Sequence, residues 1–374
     1  MAVTSIARRP FGDVFREKRV LVTGHTGFKG SWLCEWLLEL GAQVIGFSLA
    51  PPTSKALFDQ LGLAARLRDI RGDVRDNKSI QRAIREARPD FLFHLAAQPL
   101  VRLSYVEPVE TYATNIMGTV HLLDAVRRLS QPCTVVIVTS DKCYENREWV
   151  HSYREEDPIG GRDPYSSSKG AAELVIDAYR RSYFSDVDSP VRVASVRAGN
   201  VIGGGDWARD RIVPDCVRAL RRSEPIAVRN LTATRPWQHV LEPLGGYLWL
   251  AAKLAAEPRA SSGLASAFNF GPSLASNRTV ADLVLEILKH CPGRWEDRSD
   301  PKGVHEAKLL NLAIDKAWHL LGWQPAWDFA TTVSRTMEWY QTDMIRPMAV
   351  PELTQAQIAS YVSDARRSNI TWTR

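Results

Sequence analysis

Short apolar runs alternate with amphipathic stretches in the first half of this chain, and a glycine-rich turn follows the first apolar run. Residues 19–24 form a continuous apolar run closed by Gly24, which is typical of a strand buried on both faces of a parallel sheet. Residues 31–40 have helical spacing, and residues 43–49 predict a second strand. This alternation predicts an α/β fold with a doubly wound parallel sheet.

The same alternation continues to about residue 200 and then changes. Further strands are expected near residues 70–73, 91–96, 134–139 and 191–196, and helices over 79–87, 115–129 and 166–183. Nine of the twelve Trp residues lie beyond residue 200. We expect a leader of low order at 1–17, a Rossmann-like NAD-binding domain at 18–200, and a smaller mixed lobe at 201–374. That lobe is expected to bind mainly substrate, and some of its segments return to the Rossmann-like domain.

Composition excludes several classes of protein. The net charge is +6, but no long Lys/Arg run of the kind found in nucleic-acid binders is present. The five Cys are scattered and form no CxxC pair, so neither a zinc site nor a disulfide framework is expected. No apolar stretch approaches the ~20 residues that span a bilayer. We therefore expect a cytoplasmic protein with no metal, no nucleic-acid partner and no membrane span.

The glycine-rich turn predicts a phosphate site. Gly24, Gly27 and Gly30 lie between the first strand and the first helix. Glycine permits a tight turn and a close approach of backbone to a pyrophosphate, and the helix N-terminus then faces the negative charge. The alternative is a glycine-rich turn with no ligand. The expected dinucleotide-binding residues of this segment are Gly24, Thr26, Gly27, Phe28, Lys29 and Gly30.

Tyr165 and Lys169 form a candidate catalytic pair. They are four residues apart on a predicted helix and so share one face. A nearby ammonium and the positive nicotinamide both favour phenolate, which lowers the pKa of the tyrosine. A phenolate can take a hydroxyl proton while hydride leaves the same carbon. An accidental surface pair is the alternative.

Four segments in this order resemble the extended short-chain dehydrogenase/reductase superfamily, from about residue 19 to 339. They are the Gly-x-x-Gly-x-x-Gly turn, the Gly72–Asp76 segment GDVRD, the His94–Gln98 segment HLAAQ, and YSSSK from Tyr165 to Lys169. The resemblance implies that Asp73 and Val74 contact the adenine end. It also implies that Leu95, Ala96 and Ala97 line the cofactor, beside Tyr165 and Lys169.

The segment after the fifth expected strand points to a branch of that superfamily. Ser140, Asp141 and Lys142 align with the triplet that ends in Asp-Glu in dTDP-glucose-type dehydratases. A Lys in the Glu position resembles the CDP-glucose 4,6-dehydratase family. The resemblance implies a hydro-lyase that oxidises C4 of CDP-glucose, eliminates water across C5 and C6, and returns hydride to C6. The alternative is a solvated turn pair.

The resemblance also gives these side chains roles. Alignment makes Lys142 the base at C5 and Asp141 the acid at C6. The reverse assignment keeps both groups in their ordinary charge states, so the two assignments stay open. Ser140 is expected to donate a hydrogen bond to the 4-oxygen beside Tyr165.

The candidate substrate residues are spread over the chain. Asn200 is expected at the phosphates, and Arg235 in a bidentate contact with the pyrophosphate. Arg211, His305 and Glu306 are weaker candidates, for which a structural role is an equal alternative. Gln98 completes the expected set.

The sequence leaves open whether the cofactor is NAD or NADP and whether the chain forms a dimer or a tetramer. An NAD site usually has an acid at the end of the second strand, yet residues 46–50 contain none, and Lys29 would favour a 2′-phosphate. We expect NAD because the family's cycle uses it, with NADP as the alternative. The resemblance implies a homodimer or homotetramer that pairs through the helix near 115–129 and the helix that contains Tyr165. It also implies a role in deoxysugar supply for cell-surface O-antigen lipopolysaccharide. The competing hypotheses are another nucleotide-sugar dehydratase, a 4-epimerase, or a non-catalytic dinucleotide sensor.

Overall fold

The computed structural model describes residues 9–257, 263–299 and 309–374. The strands in order are β1 (Arg19–Thr23), β2 (Gln43–Ser48), β3 (Arg68–Arg71), β4 (Phe91–His94), β5 (Cys133–Val138), β6 (Val191–Ala198), β7 (Val201–Ile202), β8 (Ile226–Val228), β9 (Thr234–Pro236), β10 (Gln238–His239), β11 (Ala267–Phe270), β12 (Asn277–Thr279) and β13 (Trp295–Asp297). The helices are α1 (Phe28–Glu39), α2 (Leu57–Gln60), α3 (Asn77–Ala87), α4 (Val101–Val106), α5 (Pro108–Tyr112), α6 (Gly118–Val126), α7 (Pro164–Tyr183), α8 (Ile212–Arg221), α9 (Leu241–Ala256), α10 (Val280–His290), α11 (Asp315–Leu321), α12 (Phe329–Ile345) and α13 (Val350–Arg367).

A parallel sheet forms the centre of the molecule. Its strand order is β3-β2-β1-β4-β5-β6-β11, and every neighbouring pair in it is parallel. The order reverses between β1 and β4, which is the position where open α/β sheets bind ligands at the carboxyl ends of their strands. The predicted doubly wound, Rossmann-like sheet is confirmed.

Alternation along each strand builds two cores, one on each face of the sheet. In β1, Val20 and Val22 belong to one apolar cluster and Leu21 to the other, because successive side chains point to opposite faces. Both faces are covered by helices, and this explains why β1 is apolar throughout.

The second half of the chain contributes to the central sheet as well as to the lobe. Strand β11 pairs with β6, while smaller two-stranded sheets join β7 to β10, β9 to β12 and β8 to β13. One continuous apolar cluster includes Trp36 of α1 together with Tyr361 and Trp372 near the C-terminus. The two halves therefore share a core.

The structure corrects two expectations about local order, one at residues 9–17 of the leader and one at the helix over 115–129. Residues 1–8 of the leader lie outside the described residues. The described part of the leader is packed, because Phe11 stacks on Trp372 with ring centroids 4.9 Å apart and Phe15 lies 4.8 Å from Phe91. Burial of these aromatic rings outweighs the entropy of a free leader. The helix expected at 115–129 is shorter, since a π-turn at Ala113–Met117 precedes α6. Among the described residues, no helix combines the length and the hydropathy that a bilayer span requires.

Candidate active site

A cleft of about 1800 Å³ opens at the carboxyl ends of the sheet strands. Its walls come from the turns after β1, β4, β5 and β6 and from the loop that precedes α8. Basic side chains outnumber acidic ones along these walls. Such a surface favours ligands that carry phosphates. No group of three His, Cys, Asp or Glu side chains suited to a metal ion occurs in the described part of the chain.

The glycine turn after β1 is a close-packed backbone cradle. Gly24 has φ +73°, and a Cβ there would lie 2.7 Å from the Ala96 backbone nitrogen. A Cβ on Gly30 would overlap the Gly24 carbonyl oxygen. Gly27 caps α1 without a side-chain hydrogen bond, so the first N–H groups of α1 stay available to an anion. The turn therefore fits a dinucleotide pyrophosphate.

We expect Gly30→Ala to disrupt this turn. The added methyl group would force the Gly24 carbonyl away from α1, with a stability cost of about 1–3 kcal/mol and a large loss of NAD affinity. Urea unfolding and a fluorescence titration with NAD measure the two effects. Gly245→Ala is the matched control, because Gly245 also lies in a helix, α9, and the nearest atoms to a Cβ there are at an ordinary contact distance of 3.4 Å. A Gly30→Ala variant that binds NAD normally would contradict the assignment of the turn.

The other expected cofactor residues line the same cleft. They are Thr26, Phe28, Lys29, Asp73, Val74, Leu95, Ala96 and Ala97. The Thr26 hydroxyl lies 3.0 Å from the Ser48 hydroxyl at the end of β2. The Asp73 carboxylate accepts hydrogen bonds from the side chain and backbone of Arg75, and the Arg75 side-chain bond lowers the pKa of Asp73. At Asp73 the cleft therefore has an ionised acceptor in a fixed position.

Lys29 extends from the first turn of α1 into the cleft. Its Nζ donates a hydrogen bond to the Tyr247 hydroxyl at 3.1 Å. Burial, followed by the positive charges of Arg211 and Lys169, lowers the pKa of Lys29 to about 7. An anionic ligand nearby would favour its protonated form.

Tyr165 and Lys169 lie on the cleft side of α7. Asp163 caps this helix by accepting from the Ser166 N–H, and the Tyr165 N–H donates to Ser104 Oγ at 3.1 Å. Burial raises the pKa of Tyr165 to about 12, against a hydrogen bond with Ser140 that lowers it. Burial lowers the pKa of Lys169 to about 8.

The residue one helical turn after Lys169 belongs to a buried ion pair. Glu173, one turn further along α7, is 2.8 Å from Arg197 of β6, and both side chains are almost fully buried. Glu173 also accepts from Thr139 and Ser195. Burial alone would raise the pKa of Glu173, but the Arg197 charge and these hydrogen bonds hold it below its usual value. The Glu173 charge in turn favours the protonated form of Lys169.

We expect Glu173→Gln to destabilise the fold by about 3–5 kcal/mol, because it leaves the Arg197 charge buried without its counter-ion. Glu296→Gln is the matched control, since Glu296 pairs with Arg298 at the surface and such pairs contribute about 0–1 kcal/mol. Urea unfolding of both variants gives the comparison. Equal effects of the two substitutions would show that burial of the pair does not determine its contribution.

Ser140, Asp141 and Lys142 form a short turn at the end of β5. The Ser140 hydroxyl donates to Asp141 Oδ1 at 3.0 Å and accepts from the Lys142 N–H at 3.2 Å. Asp141 is buried, and its Oδ2 has no hydrogen-bond partner among the described residues. Burial raises the pKa of Asp141, against the charge of Lys142 and the Ser140 hydrogen bond. This carboxyl is therefore biased toward its protonated form.

The structure separates the expected substrate residues. Asn200, Arg211 and Arg235 line the cleft. Gln98 also borders it, but its amide bonds to Leu100 and to the Thr111 hydroxyl. Both ends of the amide therefore support its own loop, and its contact with substrate stays a prediction. His305 and Glu306 lie outside the described residues.

Sequence reasoning missed the groups that fix the catalytic helix. Ser104, which accepts from the Tyr165 N–H, lies 61 residues before it. Glu173 had a usable signal, since it follows Lys169 by four residues and so lies on the same face of a helix. Nothing in the sequence pattern indicates that Arg197 would be its partner.

Known proteins match most of the length of this chain. The family model described as GDP-mannose 4,6 dehydratase matches residues 21–336. A CDP-glucose 4,6-dehydratase of Salmonella typhimurium is 46% identical over 363 residues, which cover 95% of this chain and 99% of that protein. A dTDP-glucose 4,6-dehydratase of Streptomyces antibioticus is 30% identical, with 86% of this chain and 92% of that protein covered.

Solved structures give the same result for the fold. A dTDP-glucose 4,6-dehydratase of Streptomyces venezuelae, solved with NAD bound, matches with a TM-score of 0.73 and 26% identity over 88% of this chain and 99% of that chain. The resemblance drawn from the motifs is confirmed by the extent of these matches. The chain belongs to the GDP-mannose 4,6 dehydratase family, within the extended short-chain dehydrogenase/reductase superfamily.

Proposed function

We propose that this chain uses NAD to convert CDP-glucose to CDP-4-keto-6-deoxy-glucose and water. The observation that carries the proposal is the buried Asp141 carboxyl beside Tyr165, with one oxygen unpartnered and its pKa raised. Oxidation at C4 alone needs only a base, whereas loss of water also needs an acid for the departing hydroxyl. The 46% identity to a CDP-glucose 4,6-dehydratase supports the choice of CDP-glucose.

The chain's own groups would act first at C4. Tyr165 would take the proton of the 4-hydroxyl, while Ser140 orients that oxygen and Lys169 favours the phenolate. A bound dinucleotide, which the glycine turn after β1 would hold, would supply an oxidised nicotinamide as hydride acceptor for C4 and, once reduced, as hydride donor for C6, and its positive charge would favour the phenolate of Tyr165. Loss of hydrogen from C4 leaves a ketone, which acidifies the hydrogen on C5.

Elimination would then use the turn after β5. The raised pKa of Asp141 favours Asp141 as the acid that protonates the C6 hydroxyl as it leaves as water. Lys142 would remove the proton from C5 and give it back to C5 when hydride reaches C6, since it follows Asp141 directly and lines the same cleft. Asn200, Arg211 and Arg235 would bind the pyrophosphate of the substrate.

The working assembly is also a proposal. We infer a homodimer or homotetramer that acts in the cytoplasm and supplies deoxysugars for a cell-surface polysaccharide. Exposed apolar side chains support pairing through α7 and the segment before α6, because Leu174, Tyr183 and Met117 are 62%, 52% and 45% exposed. Light scattering of the purified chain tests the assembly.

The activity test compares three substrates. The purified chain with NAD is incubated separately with CDP-glucose, dTDP-glucose and UDP-glucose, and mass spectrometry records the loss of one water. We expect loss from CDP-glucose. Loss only from another nucleotide sugar would keep the reaction and overturn the nucleotide, and a 4-epimer without water loss would overturn the reaction.

A further inference from the structure

A buried carboxylate outside the catalytic group joins the two halves of the molecule. The side chain of Asp343, in α12, is 0% exposed. Its Oδ1 accepts from Gln60 Nε2 at 2.6 Å, and its Oδ2 bonds Arg221 and lies 3.6 Å from Lys55 Nζ. Lys55 and Gln60 come from the dinucleotide-binding half, whereas Arg221 and Asp343 come from the second half. One carboxylate therefore neutralises cations from both halves.

The same cations hold an indole ring at the cleft. Trp207 lines the cleft, with the Arg221 guanidinium 4.7 Å and Lys55 Nζ 5.6 Å from its ring centroid. Its Nε1 donates to Gln60 Oε1 at 3.4 Å. Cation–π contacts of this kind depend on where the cations are placed. The position of Trp207 therefore depends on Asp343, which fixes both cations.

Trp207 lies in the loop of residues 206–211, which places the Arg211 charge near Tyr165. The preceding Asp206 accepts from Arg211 Nη1 at 2.9 Å, and the Tyr340 hydroxyl donates to the Asp206 carbonyl oxygen at 2.6 Å. The Arg211 charge lowers the pKa of Tyr165, which burial raises. The charge that favours the phenolate thus comes from a loop whose first residues are fixed by these contacts.

The two glycines before this loop are closely packed against α1 and α2. A Cβ on Gly205 would lie 2.8 Å from Leu57 Cβ of α2. The Trp32 indole N–H donates to the Gly204 carbonyl oxygen at 2.9 Å. Contacts with α1 and α2 therefore fix the loop on one side, and the Lys55 and Arg221 side chains that bond Asp343 fix it on the other.

We propose that Asp343 is a positioning residue for oxidation at C4. Through Lys55, Arg221 and Trp207 it holds the loop of residues 206–211 against the dinucleotide-binding half, and this fixes the Arg211 guanidinium beside Tyr165. The inference rests on the proposed function, in which Tyr165 accepts the proton of the 4-hydroxyl. Asp343 acts through Arg211 and does not line the cleft.

Several charged or titratable groups face Tyr165, so a pH profile must be compared between variants. They come from the turn after β5, from the cap and body of α7, from the loop before α8 and from α9, and are Asp141, Asp163, Lys169, Arg211 and Tyr247. Of these, only Arg211 belongs to the loop that Asp343 positions. A selective change in Asp343 is therefore expected to act on Tyr165 through Arg211.

The test is Asp343→Asn in the full chain. We expect kcat for water loss to fall roughly 3- to 30-fold. We also expect the acid limb of the pH profile of kcat to move to higher pH, because a displaced Arg211 charge favours the phenolate less. A substitution that only lowered the folded fraction would reduce kcat equally at every pH.

Two comparisons isolate the path through Arg211. Glu35→Gln is the matched control, since Glu35 is also buried and bonded to an arginine and a glutamine, Arg66 and Gln355, but neither of these partners lines the cleft. It should leave the acid limb in place. In an Arg211→Ala background, Asp343→Asn should shift the limb no further.

The outcomes separate the two proposals. An unshifted limb for Asp343→Asn, in an enzyme whose wild type loses water from CDP-glucose, overturns the role of Asp343 alone. An equal shift for Glu35→Gln does the same. A wild type inactive on every nucleotide sugar overturns both proposals. If Asp343→Asn does not fold, Lys55→Gln replaces it, because the Lys55 side chain is 53% exposed and its loss should not unfold the protein. An acid limb that does not move in Lys55→Gln overturns the proposal.

Discussion

Tyr165→Phe is expected to lower kcat for water loss by roughly 10²–10⁴-fold and to leave the fold intact. The substitution removes only the hydroxyl, while the cap by Asp163 and the backbone bond to Ser104 stay in place. Ser140 keeps its hydrogen bond to Asp141. Mass spectrometry under saturating NAD and CDP-glucose measures the rate, and thermal unfolding measures the stability.

The control for Tyr165→Phe is another buried tyrosine hydroxyl. Tyr361→Phe removes a hydrogen bond to Glu242, and neither residue lines the cleft. It should therefore cost about 1 kcal/mol of stability and leave kcat within a factor of about two. A Tyr165→Phe variant that kept most of its activity would assign the C4 proton to another group.

The pH dependence of the wild type has a definite sign. Tyr165 must be ionised to accept a proton, and its pKa is raised to about 12 by burial, so kcat rises with pH along the acid limb. Lys169, with its pKa lowered to about 8, loses its charge above that pH and then favours the phenolate less. The rise in the rate of C4 oxidation is therefore expected to flatten above a pH of about 8, because loss of the ammonium charge raises the pKa of Tyr165.

The central sheet and the catalytic pair could be predicted from the sequence because both depend on local pattern. The apolar run of β1 and the glycines after it are adjacent in the chain, so their spacing alone predicts strand, turn and helix. Tyr165 and Lys169 share a helix face for the same reason. Each of these inferences needs fewer than about ten residues of context.

The supporting contacts could not be predicted, because they join segments that only the fold brings together. Arg197 meets Glu173 because β6 packs beside α7, and Phe11 meets Trp372 from the far end of the chain. Gln98 was expected at the substrate, yet the loop around it also offers partners for its amide. Residue type gives the bonding capacity of a side chain and not the choice of partner.

Asp141→Asn is expected to stop the reaction after the first half. Asn is nearly isosteric but cannot give a proton to the leaving hydroxyl, so water loss should fall by roughly 10²–10⁴-fold, while Tyr165 still serves the oxidation at C4. Reduced nicotinamide should then accumulate in proportion to enzyme, measured by its near-ultraviolet absorbance. In the wild type, elimination should slow as pH rises through the raised pKa of Asp141.

Exchange of the C5 hydrogen with deuterium oxide distinguishes the two assignments of acid and base. If Lys142 is the base, Asp141→Asn retains exchange at C5 without water loss, and Lys142→Met loses both. If Asp141 is the base, the pattern reverses, and the bias of its carboxyl toward the protonated form would have to change when the sugar binds. Exchange in neither variant would mean that the two groups act only as a unit, because removal of either then prevents proton transfer at C5.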